Sequence, residues 1–251
     1  MKKKSKTLLI GGAGNLGSEI VKSGLFTNLH VPSKKKLNIE NSRTIYKELR
    51  KKNFDLIINC AALARMEYCE KNPVKAIKVN IFGTMNLIEE VINYENQFNK
   101  KIKLIHISSD GVYPSTKGNY SEKSKTEPYN VYGWTKLYSE QIVKKLKKYI
   151  IIRTRFFSKN NIKFETAATD IYSSMMEVQN LVKAIKKIST KKFTGIINIG
   201  ETRKSNFQIY KKYKKKIKPC KRKDVIKNLG FILAKDASMN LKLFKKINDR
   251  N

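Results

Sequence analysis

The sequence is short of acids, arginine and cysteine, and each shortage excludes something. Asp and Glu number 20 against 54 Lys and Arg, for a formal charge of +34 over 251 residues. A field of that sign attracts polyanions. Only 8 of the 54 basic residues are arginine, however, and arginine is the side chain suited to bidentate phosphate and base recognition. The lysines are spread over nearly every segment, so nucleic acid is not expected as a partner. The densest basic run, "KKYKKKIKPCKRK" at 211–223, reads as a solvated helix face and loop. It is the first place to look for a polyanion contact. Cys60, Cys69 and Cys220 are odd in number and lack a CxxC spacing, which argues against a disulfide framework or a cysteine metal site. Reduced thiols and a cytoplasmic location follow as expectations. No apolar run reaches the roughly 18 residues a bilayer span requires, so no membrane insertion is expected. The start "MKKKSKTLLIGGAG" has a signal peptide's basic residues, but its apolar stretch ends at Ile10 and Glu19 follows soon after.

What is present is a regular alternation. Apolar residues make up 40% of the chain, enough for one substantial core, alone or with a small lobe. "TLLI" (7–10), "FDLIINC" (54–60), "IKLIHIS" (102–108) and "YIIIRT" (149–154) are near-continuous apolar runs that read as buried strands. A weaker strand lies within 26–31. Helices are expected over 14–24, from Pro73 to about Tyr94, and over 131–148. In the second of these, Val74, Ile77, Ile81, Met85, Ile88 and Ile92 recur at helical spacing and are expected to form its apolar face. Such strands alternating with helices predict an α/β fold, a doubly wound parallel sheet covered on both faces. Beyond residue 155 the pattern loosens to a helix near 175–189, a strand at 195–200 and a basic helix near 205–217. Residues 1–157 are expected to form the nucleotide-binding core. Residues 158–251 are expected to form a small substrate lobe interleaved with the last strands.

"LLIGGAGNLGSEI" places glycines between a strand and a helix, the context a dinucleotide-binding loop requires. Gly12, Gly14 and Gly17 fit G-x-G-x-x-G, and Gly11, Gly14 and Gly17 fit a looser form. Such glycines permit a tight turn and let backbone N–H groups approach a pyrophosphate at the helix N-terminus. An NAD site would place an acid about 20 residues on, at the ribose 2′-hydroxyl. Here "HVPSKKKLN" offers none before Glu40, while Ser33, Lys34 and Lys35 can meet a 2′-phosphate. NADPH is the expected cofactor, with NADH the alternative.

Three Tyr-x-x-x-Lys spacings occur, Tyr113/Lys117, Tyr132/Lys136 and Tyr210/Lys214, against about two expected by chance in so lysine-rich a chain. Context separates them. Tyr210/Lys214 lies in the basic tail, and Tyr113/Lys117 straddles Pro114 and Gly118. Tyr132/Lys136 opens a helix after the strand whose end carries "SSD" at 108–110. Strand ends facing a glycine loop are where ligands sit in such sheets. Reduction of a ketone by hydride builds negative charge on oxygen, and a donor must supply a proton. A phenol near pKa 10 does so poorly. A cation at Lys136 would favour the phenolate and could hold the nicotinamide ribose, while the Ser109 hydroxyl positions the carbonyl.

Residues 7–157 carry further motifs: "NCAALARMEYCEKNPVKAIKVN" (59–80), "SSDGVY" (108–113), "YSEKSKTEPYNVYGWTK" (120–136) and "IIRT" (151–154). With the glycine loop they resemble the extended short-chain dehydrogenase/reductases, and most closely the dTDP-4-dehydrorhamnose reductases. The resemblance implies Tyr132 as acid, Lys136 as its partner and Ser109 in the family's Ser/Thr role. It also implies Gly11, Gly14, Asn15, Leu16, Gly17, Ala61 and Ala62 along the cofactor, with Asn80 supporting the lysine. Asp110, Glu122 and Asn130 fall at motif positions around the substrate cleft. Arg155 is a candidate for the sugar-nucleotide diphosphate. Three departures stand out: Asn38 where the family has Asp, Gly111 for an aromatic residue, and Leu63-Ala64 for an aromatic or His followed by Thr.

The implied function is NADPH-dependent reduction of a 4-keto group on a nucleotide-linked deoxysugar, in a possible homodimer. A nucleotide-sugar epimerase with retained NAD would use the same triad. A non-catalytic NADP-binding subunit, similar to methionine adenosyltransferase beta, would share the fold.

Overall fold

The computed structural model describes residues 5–229 and 232–249, so the basic start of the chain, 1–4, lies outside the described residues. The first half alternates as expected. Strands β1 (Thr7–Ile10), β2 (Leu29–His30), β3 (Leu56–Asn59), β4 (Lys103–Ile107) and β5 (Tyr149–Arg153) are separated by helices. These are α1 (Asn15–Lys22), α2 (Ser42–Leu49), α3 (Met66–Lys71), α4 (Pro73–Ile77), α5 (Gly83–Phe98) and α6 (Val131–Val143). A π-helical turn, Lys78–Phe82, joins α4 to α5.

In the second half come short strands β6 (Phe156–Phe157), β7 (Thr166–Ala168), β8 (Tyr172–Ser173) and β9 (Met176–Glu177), then α7 (Val178–Ser189) and β10 (Gly195–Asn198). β11 (Lys204–Ser205), α8 (Asn206–Lys211), β12 (Lys218–Cys220), α9 (Arg222–Leu229), β13 (Asp236–Ala237) and α10 (Lys242–Asp249) follow.

Six strands form one parallel sheet in the order β2-β1-β3-β4-β5-β10. Its last strand comes from the second half of the chain. Side chains alternate between the two faces, as strand geometry requires. Leu8, Ile10, Ile57, Leu104 and Ile151 pack with Leu87, Val91 and Val143 of α5 and α6. Leu9, Ile58, Ile105, Ile150 and Ile197 pack with Ile20 of α1 and with Leu181 and Ile185 of α7. Both faces are therefore buried, which is why these strands read as continuous apolar runs. Strand order reverses between β1 and β3, and a crevice opens there beyond the carboxyl ends.

Two expectations need correction. The basic helix near 205–217 is only Asn206–Lys211. Ser205 starts it with a capping box shared with Gln208, but the lysines that follow repel at helical spacing. Lys214 instead turns back to the Phe164 carbonyl and Glu165. The apolar face read for the helix from Pro73 is also not the buried one throughout. Ala76, Val79, Leu87, Ile88 and Val91 pack inward, whereas Val74, Ile77 and Met85 are exposed. The π turn adds a residue to the helical repeat and rotates the stripe out of register with the sheet.

Candidate active site

Parallel register brings four strand ends to one level. Ile10 pairs with Asn59, Asn59 with His106, and Ile107 with Ile152, so Gly11, Ala61, Ser108 and Thr154 leave the sheet together. Gly11 takes φ +82°, and a side chain there would strike the Ala61 backbone nitrogen at 2.7 Å. A side chain on Gly17 would strike the Gly11 carbonyl oxygen, so α1 can approach β1 only with glycine at 17. Gly14 caps α1 without a side-chain bond, and a side chain there would meet only the Gly11 oxygen. The amino end of α1, with Asn15 and Leu16, is thus a backbone cradle suited to a pyrophosphate. Ala61 donates its N–H to Asn59 Oδ1 beside this loop, and Ala62 follows it. Val31 abuts Gly12, placing the exposed turn of Ser33 and Lys34 at the loop's far side. Lys34 lies 4.0 Å from Glu40, whose other oxygen is held by Lys75.

At the end of β4, Ser109 is buried and its Oγ accepts from the Gly111 N–H at 3.0 Å. Tyr132 lies in the first turn of α6. Asn130 caps that helix by accepting from Gly133 N at 2.7 Å, and Glu70 accepts from Val131 N at 2.7 Å. Asn130 therefore has a helix-capping role here. Gly133 meets the Gly111 backbone so closely that a side chain at 133 could not be accommodated, which seats α6 over Ser109. Burial pushes the Tyr132 phenol up to about 12, and hydrogen bonding with Ser109 opposes the rise.

Lys136 departs from the expectation that its cation lowers the phenol pKa. Its ammonium is buried and lies 3.1 Å from His106 Nε2. Burial lowers its pKa to about 8, with Glu140 acting the other way. His106 is itself fully buried, within 3.2 Å of Ser139 Oγ and 3.3 Å of Asn59 Nδ2. Burial and then Lys136 drive its pKa well below the ordinary imidazole value, so it stays neutral. Asn80, in the π turn, does not touch Lys136. It accepts from Leu63 N at 2.8 Å and donates to the Leu63 carbonyl and to Thr135 Oγ1. It fastens the loop after β3 to the residue preceding Lys136.

Asp110 is buried, and its carboxylate meets Arg155 Nε at 2.7 Å. Burial raises the Asp110 pKa while Arg155 opposes the rise. Arg155 is bonded as well to Tyr129. Glu122 is half-buried and accepts from Asn198 N at 2.9 Å, a bond that anchors β10. Ser109, Tyr132, Asp110 and Arg155 thus gather at one place. Glu122 serves the sheet edge, and Lys136 faces into the protein.

Several site residues escape a sequence reading. Tyr129 adjoins Asn130 in a stretch already singled out. His106 was signalled only as a lone polar residue in an apolar strand. Tyr210 lines, with Phe164, two adjoining cavities of ≈ 340 and ≈ 600 Å³. The first also includes Asn15 and Ser18 of α1, so the cradle opens toward the second half of the chain. In the sequence Tyr210 is followed by lysines and carries no local signal of a site. Among the described residues there is no group of three or more side chains that could hold a metal ion. Nor, among them, is any helix long and apolar enough to cross a membrane.

A glycine cradle beside a Ser–Tyr pair at the carboxyl ends of parallel strands defines an extended short-chain dehydrogenase/reductase. Within that class the chain belongs to the family described as the RmlD substrate binding domain, which matches residues 5–185. Among curated relatives it is 32% identical over 160 residues to an uncharacterized membrane protein of Methanocaldococcus jannaschii, covering 55% of this chain and 43% of that one. It is 29% identical over 147 residues to methionine adenosyltransferase 2 subunit beta of Rattus norvegicus, covering 55% and 42%. The matched stretch thus spans less than half the length of these relatives. A dTDP-4-dehydrorhamnose reductase of Mycolicibacterium smegmatis is 37% identical over 93 residues, covering 36% of this chain and 27% of that one. Among solved structures, the Bacillus anthracis dTDP-4-dehydrorhamnose reductase in complex with NADP superposes with a TM-score of 0.83. It is 22% identical, and the superposition covers 98% of this chain and 92% of that one. A hypothetical dTDP-4-dehydrorhamnose reductase from Sulfolobus tokodaii gives 0.80 at 26% identity, covering 96% and 94%.

Proposed function

We propose that this protein is an NADPH-dependent reductase of a 4-keto group on a nucleotide-activated deoxysugar. The observation that carries the reading is the pairing of Ser109 with Tyr132 over the strand ends, in a chain of this family with an open glycine cradle. The cradle at Gly11, Gly14 and Gly17 fits a dinucleotide pyrophosphate, with Ser33 and Lys34 toward the adenine ribose and Ala61 and Ala62 along its length. Bound there, NADPH supplies the hydride. The Ser109 hydroxyl orients the substrate carbonyl, and Tyr132 donates its phenolic proton to the carbonyl oxygen as charge builds. A phenol held near 12 is fully protonated at neutral pH, which suits a donor. Lys136, on the inner side of α6 beside His106, steadies the site. Tyr210 borders the cavities that would take the nucleotide part, and the Arg155 cation lies close enough to act on its phenol.

A second reading has its own support. The similarity to methionine adenosyltransferase beta subunits, together with a lysine turned toward His106, favours an NADP-binding regulatory subunit. The test is NADPH oxidation with a freshly generated dTDP-4-keto-6-deoxysugar, run beside Tyr132→Phe. Turnover lost in the variant by a factor on the order of 10²–10⁴ supports the reductase. NADPH binding without turnover on any keto-sugar nucleotide overturns it in favour of the regulatory subunit.

A further inference from the structure

At the amino ends of the same strands, away from Ser109 and Tyr132, lies a cavity of ≈ 450 Å³ that the chemistry above does not use. Thr7, Leu56 and Lys103 line it, and they are the first residues of β1, β3 and β4. At about 3.3 Å per residue, a strand length of roughly 13–16 Å separates it from the ends that carry the glycine loop and Ser109. Alternation puts these three residues on the sheet face of Leu9, Ile58 and Ile105, the face covered by α1 and α7. The apolar layer stops here. Phe26 and Leu56 form its last wall, and beyond them the lining turns polar.

The polar lining is short of acceptors. Thr7 is only 2% exposed, yet its hydroxyl has no hydrogen-bond partner among the described residues. A buried hydroxyl of this kind costs stability unless something in the adjoining space satisfies it. Lys103 donates to the Ser189 carbonyl at 3.1 Å and to the Lys191 carbonyl at 2.8 Å. An ammonium has three N–H groups, and the third finds no acceptor among the described residues. The two bonds also offset the negative end of α7, which would otherwise repel an anion. Burial and then the neighbouring Lys148 hold the Lys103 pKa below its ordinary value, with no acid acting against them. The Lys186 ammonium stands 4.8 Å from the centre of the Phe26 ring, half-buried and paired with no acid among the described residues. Asp55 is the one acid in the described lining, and it is already committed. One of its oxygens accepts from the Lys6 backbone N–H and the other from Lys100 Nζ, each at 2.9 Å. A cation would be repelled from such a space, and a neutral apolar molecule would leave its donors unsatisfied. The volume falls within the range of small-molecule pockets.

We propose that this cavity is a second ligand site, for a phosphate monoester with a small aromatic or aliphatic body. Its phosphate takes N–H groups of Lys103 and Lys186 and the Thr7 hydroxyl, and its apolar body lies on Phe26 and Leu56. Two lysines suit a phosphate, which carries close to two charges at neutral pH, better than a carboxylate, which carries one. The site shares no residue with the catalytic edge, so it stands whatever substrate that edge takes.

Phenyl phosphate is the probe. Calorimetric titration into the full chain saturated with NADPH, in 0.15 M sodium chloride at pH 7.5, tests the site with the glycine cradle already filled. One equivalent is expected to bind at least tenfold tighter than inorganic phosphate, which lacks the body, and than benzoate, which lacks the second charge. Lys186→Gln is expected to weaken binding at least tenfold with NADPH affinity unchanged. Thr7→Val should weaken it at least threefold without loss of thermal stability. Lys47→Gln removes the same charge from an exposed position of α2 and should change binding less than twofold. No saturation by 10 mM phenyl phosphate overturns the proposal. So does equal weakening by Lys47→Gln and Lys186→Gln, which would assign the binding to the general positive field. Binding that NADPH abolishes overturns it as well, and places the probe in the cradle.

Discussion

Lys136 is the residue whose surroundings most constrain its behaviour. Its ammonium is buried beside a neutral imidazole, and its pKa falls from 10.5 in the unfolded chain to about 8 in the folded protein. Below pH 8 both states hold the proton, so the cost of burying the charge is present in full. Between pH 8 and 10.5 the unfolded state binds more protons, so stability from this group rises with pH. Above 10.5 the cost is gone. At roughly 1.4 kcal/mol per pKa unit, the swing is on the order of 3 kcal/mol. The many other lysines titrate too, so the group is isolated by difference. Lys136→Met is expected to be more stable than wild type relative to its value at high pH, with the gap narrowing from pH 7 to pH 10. Urea denaturation of both proteins at those two pH values measures it. A gap independent of pH would mean that Lys136 does not titrate in this range. His106→Leu removes the acceptor and the polar lining together. It leaves Lys136 without a partner and should lower stability by about 1–3 kcal/mol at pH 7, an effect that Lys136→Met in the same chain should largely cancel.

Elements place these residues, and here sequence and structure part in instructive ways. The strands were legible because both sheet faces are buried, which leaves long runs of Ile and Leu and little else. The glycine loop was legible because its chemistry is local: a turn, a positive φ at Gly11 and a close approach at Gly17 lie within a few residues. Asn130 and Glu122 were marked by motif position, yet the first caps α6 and the second anchors β10. Hydrogen-bond partners distant in sequence leave no periodic trace, so neither bond was readable. The same holds for Arg153, which bonds Glu140 at 2.7 Å and Tyr113 at 3.0 Å deep behind the site. The helix from Pro73 misled for another reason. Periodicity reports that a helix has an apolar side, but not which of two apolar sides meets the sheet. Gly17→Ala tests the element that reads most clearly. A methyl there would press on the Gly11 carbonyl oxygen and the Gly12 backbone, forcing α1 away from β1. The expected outcome is at least a tenfold loss of NADPH affinity with a lowered melting temperature. Val21→Ala, at an exposed position of the same helix away from the cavities, should leave both nearly unchanged. Calorimetric titration and thermal unfolding of the two variants separate these results.

Across the whole molecule the excess of 34 positive charges acts on everything at once. Close ion pairs relieve only part of it, because 20 acids cannot neutralise 54 bases. The folded chain holds this charge in a small volume, so self-repulsion destabilises it relative to the expanded unfolded state. Added salt shortens the Debye length from about 30 Å at 0.01 M to about 8 Å at 0.15 M, which screens neighbours beyond the first shell. The melting temperature should therefore rise by several degrees between 0.01 M and 0.15 M sodium chloride, and differential scanning calorimetry would record it. The same screening reduces the repulsion between separate copies of the chain. It should weaken any contact with nucleic acid, which gains affinity by releasing counterions from phosphates. Spread lysines give such a contact no defined footprint. Binding to a random single-stranded oligonucleotide is thus expected to be measurable at 50 mM salt and to fall by at least a hundredfold at 200 mM, with no preference among sequences. Fluorescence anisotropy across that range checks it. Binding that persists at 200 mM, or that discriminates one sequence from another, would show that part of the basic surface is organised for recognition.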